Sequence, residues 1–476
     1  MQRPLILAFT LLFAILTWSS CKKSSTGIGT EVDYSAIGEI DYNAHVQPLL
    51  NDYQDMLSDA GLLPSGLSMR SWSNLIAGAD DGEVIIPFDA ANSRLVEFAT
   101  KTDSAVTLAP EKLDFLIRWI DEGARNGDGA VPYATSTNRL YVCSQGEGIV
   151  QIIDMDARVV MRTVHLTDFG IPASAKPHFI AFTPDKQFWF VSCIDNQVNK
   201  VLKFRVDDNS LVGDVTTDIP ALMSHHPRED VLYVSRFMLN NQTTSIFAVN
   251  SVTMAPIANG NDGEILLPPG QQVAHAMKLS ISGDYVYTAS FTEDAFLVID
   301  HSTGAFADVI GLGLDAAPLQ LSVAPDDQRA YVSCIGTGEV VVVNLSDPND
   351  RHLDGRYSVG GQPWHSVFSP DGNTLYVANL ASNQVNVLNV NGATFTSIGA
   401  GDGSDGLSQP HGIEISPDGR YLFVGCRNTN GNYAPRTDFG DNAMVGTVVV
   451  IDTQSNAIVK VLEIENFGSG MGALSL

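Results

Sequence analysis

The chain has 476 residues, 44% of them hydrophobic and 17% charged, with 41 Gly and 22 Pro; this is ample material for packed cores and too little charge for a disordered protein. With 27 Lys and Arg against 54 Asp and Glu the net charge is −27, and no segment is basic enough to neutralise phosphates, which excludes a nucleic-acid partner. The length suits one small domain followed by one large one.

The chain opens MQRPLILAFTLLFAILTWSSC, with Arg3 ahead of an apolar run over 5–18. That run of about 14 residues is shorter than the roughly 20 needed to span a bilayer, so residues 1–20 read as a secretory signal peptide. Ser19 and Ser20 before Cys21 resemble a bacterial lipobox, although Trp18 stands where Leu is usual; the resemblance implies that Cys21 is acylated. The competing reading is simple cleavage with no lipid. Residues 21–34 are polar and contain Gly and Ser, as a tether does. The expectation is a protein exported to a bacterial cell envelope, periplasmic or at the outer membrane or cell surface, and anchored to the membrane by its lipid only.

Residues 35–130 have a helical texture. In EKLDFLIRWIDEGARNG, Leu113, Leu116, Ile117 and Ile120 recur at helical spacing with Gly123 near the end; in IDYNAHVQPLLNDYQDML, Val46, Leu49, Leu50 and Tyr53 share one side. The order of these landmarks, from DYNAHVQPLL through GLSM and IIPFD to RWIDEGA, resembles a cytochrome-c-like domain family of exported bacterial proteins. Such a domain carries haem on a C-x-x-C-H motif. Here the stretch after Leu50 is NDYQDMLSDAGL, without Cys or His, and TLAP at 107–110 lacks the distal methionine. His45 is the only histidine of the segment and reads as a packing residue. The expectation is a small all-α cytochrome-c-like domain without covalent haem c.

From residue 131 the chain repeats. RLYVCS at Arg139, FWFVSC at Phe188, VLYVSR at Val231, YVYTAS at Tyr285, RAYVSC at Arg329, TLYVAN at Thr374 and YLFVGC at Tyr421 recur about every 47 residues, within the 40–50 typical of propeller blades. Each phrase follows a first strand and a tight turn, SPDG at Ser369 and Ser416 in full form, TPDK at Thr183 and APDD at Ala324 as variants. Pro sets φ at the first corner, Asp caps its own backbone and Gly takes the positive φ. The pattern predicts a mainly β fold, a seven-bladed β-propeller over 131–476, preceded by the helical domain. Blade one lacks an inner strand before Leu140, and the chain end GMGALSL aligns with PHGIEIS, so the C-terminal residues are expected to close the ring. The phrases resemble the YVTN family of β-propeller repeats, and more distantly the propellers of the cytochrome d1 group and of bacterial lactonases. The resemblance specifies fold well and function poorly.

Long connections between blades, such as HLTDFGIPASAKP and IGAGDGSDGLSQP, and the long CRNTNGNYAPRTDFGDNAMVG segment leave one face, which is the candidate binding face. Counting back from each turn, His178, His275 and His411 share one register in blades two, four and seven, with Trp364, Leu319 and Ala221 in blades six, five and three. Imidazoles converging on a channel mouth suit Cu, Zn or Fe; the competing reading is that they satisfy backbone. His365, His225 and His226 fall outside that register and read as structural or exposed. Arg236 and Arg427 end second strands toward the same face and suit an anionic ligand, or a bridge to a neighbouring carboxylate. Asp402, Asp405 and segment 428–442 offer oxygens for Ca²⁺, but none matches a spaced calcium loop. Cys143, Cys193, Cys334 and Cys426 fall in different blades and read as buried small hydrophobes.

No nucleophile–base or paired-acid motif stands out, so no catalytic residue is assigned. The first functional reading is a membrane-anchored binding or interaction protein presenting Arg236, Trp364, Arg427, Asp402 and Asp405 to a protein, glycan or small ligand. The alternatives are redox or metal chemistry at the channel mouth, and a lactonase-like hydrolase or lyase for which PWHSVFSPDG, with His365 and His411, is the pointer.

Overall fold

The computed structural model describes residues 32–80, 82–101, 106–237, 244–257, 263–392, 394–436 and 445–476. The leader, Cys21 and most of the tether lie outside the described residues. None of the described helices is long and apolar enough to cross a membrane.

Residues 34–121 carry four α-helices: α1 (Gln47–Asp59), α2 (Trp72–Ala77), α3 (Arg94–Lys101) and α4 (Pro110–Asp121). Proline occupies the first turn of α1 and of α4, where its missing N–H is not needed. The apolar spacing works as read: Val46, Leu49, Leu50 and Tyr53 are buried, as are Leu116 and Ile120, while Phe115 and Trp119 complete the face of α4. His45 packs edge-on against Phe115 at 6.3 Å and its Nδ1 accepts from the Asp41 N–H.

The rest is a mainly β, seven-bladed β-propeller, seven antiparallel four-stranded sheets in a ring. All seven repeated phrases fall on second strands, from Asn138–Ser144 to Tyr421–Cys426. The turns hold as their chemistry requires. Ser369 Oγ donates to Asp371, which accepts from Asn373 N at 3.1 Å, and Gly372 takes φ +72°; Lys186 and Asp327 take the same position in the variant turns at φ +61° and +59°. Blade one is assembled from both ends of the propeller chain, with Gly468–Ser475 as its inner strand beside Asn138–Ser144. Every inner strand carries a register shift against its neighbour near its first residues, a β-bulge that re-aims the side chains it carries. The four blade cysteines are buried free thiols, and burial pushes each of them up.

The helices rest on blades one and seven. Ile86 joins the cluster of Leu140, Val142, Phe423 and Met471, the Arg162 guanidinium lies 4.0 Å from the centre of the Phe88 ring, and Tyr133 Oη donates to the Ile76 carbonyl at 2.6 Å. At the seam, His165 Nε2 is 3.6 Å from Asp89, which raises the imidazole; burial pushes Asp89 up, but hydrogen bonds from His165 and Asn92 win and lower it. Burial, reinforced by Glu147 and Asp89, pushes Glu465 up to about 7. Between its ordinary value and that one, the folded protein holds a proton that the unfolded chain has released, so stability falls as pH rises through this window. The His165 contribution is likewise lost as pH rises through its raised value, whereas Asp89 and the buried channel-mouth imidazoles of His178, His275, His365 and His411, which are held neutral, favour the alkaline side. The net slope is a balance, and the Glu465 share of it is read by difference: Glu465→Gln should stabilise the protein at pH 8 relative to pH 5 by at most about 3 kcal/mol more than the parent. An equal change in stability between pH 5 and pH 8 in Glu465→Gln and the parent, measured by calorimetry, would assign that share to other groups.

The channel mouth as candidate functional site

Seven equivalent backbone hydrogen bonds build the mouth. The residue after each second strand donates its N–H across to the loop that enters the inner strand: Gln145 to Phe467, Ile194 to Lys176, Phe237 to Ile219, Phe291 to Val273, Ile335 to Ala317, Leu380 to Gln362 and Arg427 to Gln409, all between 2.9 and 3.2 Å. Several acceptors sit at positive φ, including the β-branched Ile219 at +32° and Val273 at +53°. Such strain persists only where surrounding structure enforces it, and it clusters at ligand sites. Six of the seven donor residues, all but Leu380, line a pocket of about 310 Å³, within the range of small-molecule sites.

Gln145, His178, His275, Leu319, Trp364 and Arg427 line this pocket with Ile194, Ile219, Ala221, Phe237, Phe291 and Ile335. His178, His275 and His411 share a register and are packed together, with His178 ring centroids 5.7 Å from His275 and 6.2 Å from His411. His365 joins them, 4% exposed and 4.8 Å from His411; this corrects its placement outside the ring. The cause is the bulge between Pro363 and Ser366, which turns the successive residues Trp364 and His365 both onto His411.

Burial keeps all four imidazoles neutral, His275 lowered to about 4, His365 to about 3, and His178 and His411 well below their ordinary value. Hydrogen bonds assign the mouth tautomers. A carbonyl only accepts, so the 2.6 Å contact to Leu319 O puts the proton of His275 on Nδ1 and leaves a lone pair on Nε2. The Gln145 amide nitrogen donates to His178 Nδ1 at 2.6 Å, which leaves Nε2–H as a donor.

Arg427 lies with its guanidinium 5.0 Å from the Trp364 ring centre and 4.5 Å from that of Phe467. Burial lowers it to about 10, so it is charged at neutral pH. No carboxylate reaches it among the described residues, and its Nε and Trp364 Nε1 are buried donors without a partner there. Arg236, expected to act alongside it, does not line the pocket: its guanidinium is buried and bonded to Glu264 at 2.7 Å, Ser245 and Thr217. The reason is register. Arg236 is the last residue of its strand, equivalent to Cys426, while Arg427 is one residue further on, and one step along a strand reverses the face. Asp402 and Asp405 also lie away from the pocket and serve their own loop, Asp402 accepting from Ser404 and Asp405 from Ala400 and Leu407. Asn428 bridges Tyr433 and Val445 carbonyls, and residues 437–442 of that segment lie outside the described residues.

Among the described residues one trio brings metal-ligating atoms within 4.8 Å of each other, His226, Glu229 and His301, and not the channel histidines. Its members are already engaged: His226 Nδ1 accepts from the N–H groups of Arg228 and Glu229 and Nε2 bonds Gly283 O at 3.1 Å, while His301 contacts Tyr233 Oη through Nδ1 at 2.7 Å and Glu229 through Nε2 at 3.2 Å. His225, half-buried, bonds the His226 carbonyl through Nδ1.

Fold and pocket together define a seven-bladed β-propeller with a ligand-sized cavity at its channel mouth. Residues 212–438 match the family model described as Lactonase, 7-bladed beta-propeller. Similar solved structures include a periplasmic gluconolactonase of Pseudomonas aeruginosa, 17% identical with a TM-score of 0.55 over 71% of this chain and 99% of that one. A functionally unknown protein from Desulfotomaculum acetoxidans is 15% identical, with the same TM-score and the same coverage. At such identities the likeness establishes the fold. Among curated proteins, Antigen Lp49 of Leptospira interrogans is 26% identical over 202 residues, and the match spans 40% of this chain and 40% of that relative.

Proposed function

We propose that the channel mouth is a binding site for a small organic anion, in a protein exported to the cell envelope and held there through Cys21. The carrying observation is Arg427, a charged guanidinium in an apolar pocket with no carboxylate partner among the described residues. A charge in such surroundings is stabilised by an opposite one. The leader and lipobox-like residues support export. The segment 35–130 is read as a cytochrome-c-like scaffold that serves as spacer or docking domain, since it lacks the thiols and imidazole that attach haem.

Titrating the protein with a panel of small carboxylates is expected to quench tryptophan fluorescence saturably. Arg427→Gln should weaken binding by at least about tenfold, the low end for losing a charge-assisted hydrogen bond. Unchanged affinity in a variant with unchanged melting temperature would refute the site.

Lactone hydrolysis is the second reading, supported by the match over 212–438, which contains His275, Trp364 and Arg427. His275 Nε2 would take a proton from water as it attacks the lactone carbonyl, and Arg427 would face the developing oxyanion. An imidazole lowered to about 4 is a weak base at neutral pH, which is why binding is placed first. Base uptake on δ-gluconolactone in a pH-stat, lost in His275→Gln, would reverse that order.

A further inference from the structure

We infer that the anion taken at the mouth is a monocarboxylate on an apolar, ring-containing body, an aryl or aryl-alkenyl carboxylate, and not a polyhydroxylated or phosphorylated sugar acid. This rests on the reading of the mouth as an anion site and goes on to name the chemical class.

The first observation is the composition of the ring fixed by the seven backbone hydrogen bonds. Six of its seven positions line the pocket, of which Ile194, Phe237, Phe291 and Ile335 are apolar and only Gln145 and Arg427 are polar. The register alone sets these positions, so the apolar girdle is a property of the site and not of one rotamer.

The second is what the polar atoms are already doing. The Gln145 amide nitrogen is engaged by His178, and His275 Nδ1 by Leu319 O. Of the pocket-lining imidazoles, His178 and His275 leave one donor and one acceptor between them, to which the guanidinium and Trp364 Nε1 add donors. A carboxylate needs donors and fits this set. The many hydroxyls of a sugar acid would each need partners that the girdle does not provide, and a buried hydroxyl without one is unfavourable.

The third is charge. Arg427 is the only cationic side chain among the described lining residues, the surrounding histidines are uncharged, and the whole chain carries −27. One cation balances a monoanion and leaves a phosphate dianion under-compensated. Trp364 beside the guanidinium and the T-shaped pair of Phe237 with Phe291, centroids 5.5 Å apart, offer ring faces and edges against which a planar body stacks.

The test is calorimetric titration of the purified full-length chain with trans-cinnamate, cinnamyl alcohol, gluconate and 6-phosphogluconate, repeated on Arg427→Gln. Cinnamate is expected to bind saturably at one per chain, at least tenfold tighter than either sugar acid and than the alcohol, and to lose at least tenfold in the variant. The alcohol probes the role of charge on the unaltered protein, so the inference stays testable if the variant folds poorly. Gluconate or 6-phosphogluconate binding as tightly as cinnamate, with dependence on Arg427, would overturn the aryl class and leave the anion site standing. Cinnamate and its alcohol binding alike, or no probe binding at all, would overturn both.

Discussion

A chain ending at Phe467 is expected not to fold cooperatively. The lost segment pairs with Asn138–Ser144 from Asn138↔Ser475 to Val142↔Met471, and Met471, 2% exposed, packs with Leu140, Val142, Phe423 and Val448. Gly470 lies so close to the His178 carbonyl that a Cβ there would collide with it, so the strand also walls blade two. Its removal leaves blade one with an unpaired inner edge and uncovers the neighbouring blades on either side. A blade buries its faces only against neighbours, and the loss is on the order of the ~5–15 kcal/mol that a whole domain has to spare. The expected readout is loss of a sharp thermal transition in circular dichroism and aggregation on size exclusion. A truncated chain that melts sharply within a few degrees of the parent would show that the ring tolerates an open seam.

Trp189→Ala is expected to destabilise the propeller by about 3–5 kcal/mol, the usual range for emptying a buried aromatic site. Trp189 is fully buried, stacked on Phe204 with centroids 4.4 Å apart and tilted against Tyr141 at 5.2 Å. Its Nε1–H donates to Arg205 O at 3.1 Å. Truncation therefore leaves both a cavity between blades one and two and an acceptor without its donor. Urea unfolding monitored by circular dichroism gives the value directly, and Trp189→Phe should recover the larger part of it. A change below about 1 kcal/mol would mean that the blades close onto the vacated space.

Much of the fold was legible because blades are local. The phrase from Arg139 to Tyr421, the proline–aspartate turn and the period are short-range signals, and each maps onto a strand or turn in the structure. In the helical segment, α1 and α4 are long enough to show an apolar period, whereas α2 has six residues and shows none. The mouth was half legible. His178, His275, His411 and Trp364 followed from counting back from the turn. His365 did not, because a bulge breaks the alternation on which that count depends. Arg236 and Arg427 looked equivalent only until strand ends were placed to the residue. The girdle of Ile194, Phe237, Phe291 and Ile335 stands one residue past each repeated phrase and was readable in principle; its apolar character simply does not stand out where apolar residues are common. The neutral state of the imidazoles depends on burial from several blades at once, and no local pattern carries that.

The bulge at the head of every inner strand has a consequence for how such a protein diversifies. One residue per blade in some blades, as His178 and His411 show, and two in others, as Trp364 and His365 show, are released from the pairing while the ladder below them is kept. At heads such as Trp364 and His365 a side chain can change without altering strand length or turn, so the chemistry of the mouth is largely separable from the integrity of the ring; Gly470, where a Cβ would meet the His178 carbonyl, is held by closure. A lineage can therefore trade a sugar-binding rim for an apolar one by point substitution, and retain one scaffold across ligands that share nothing but their size.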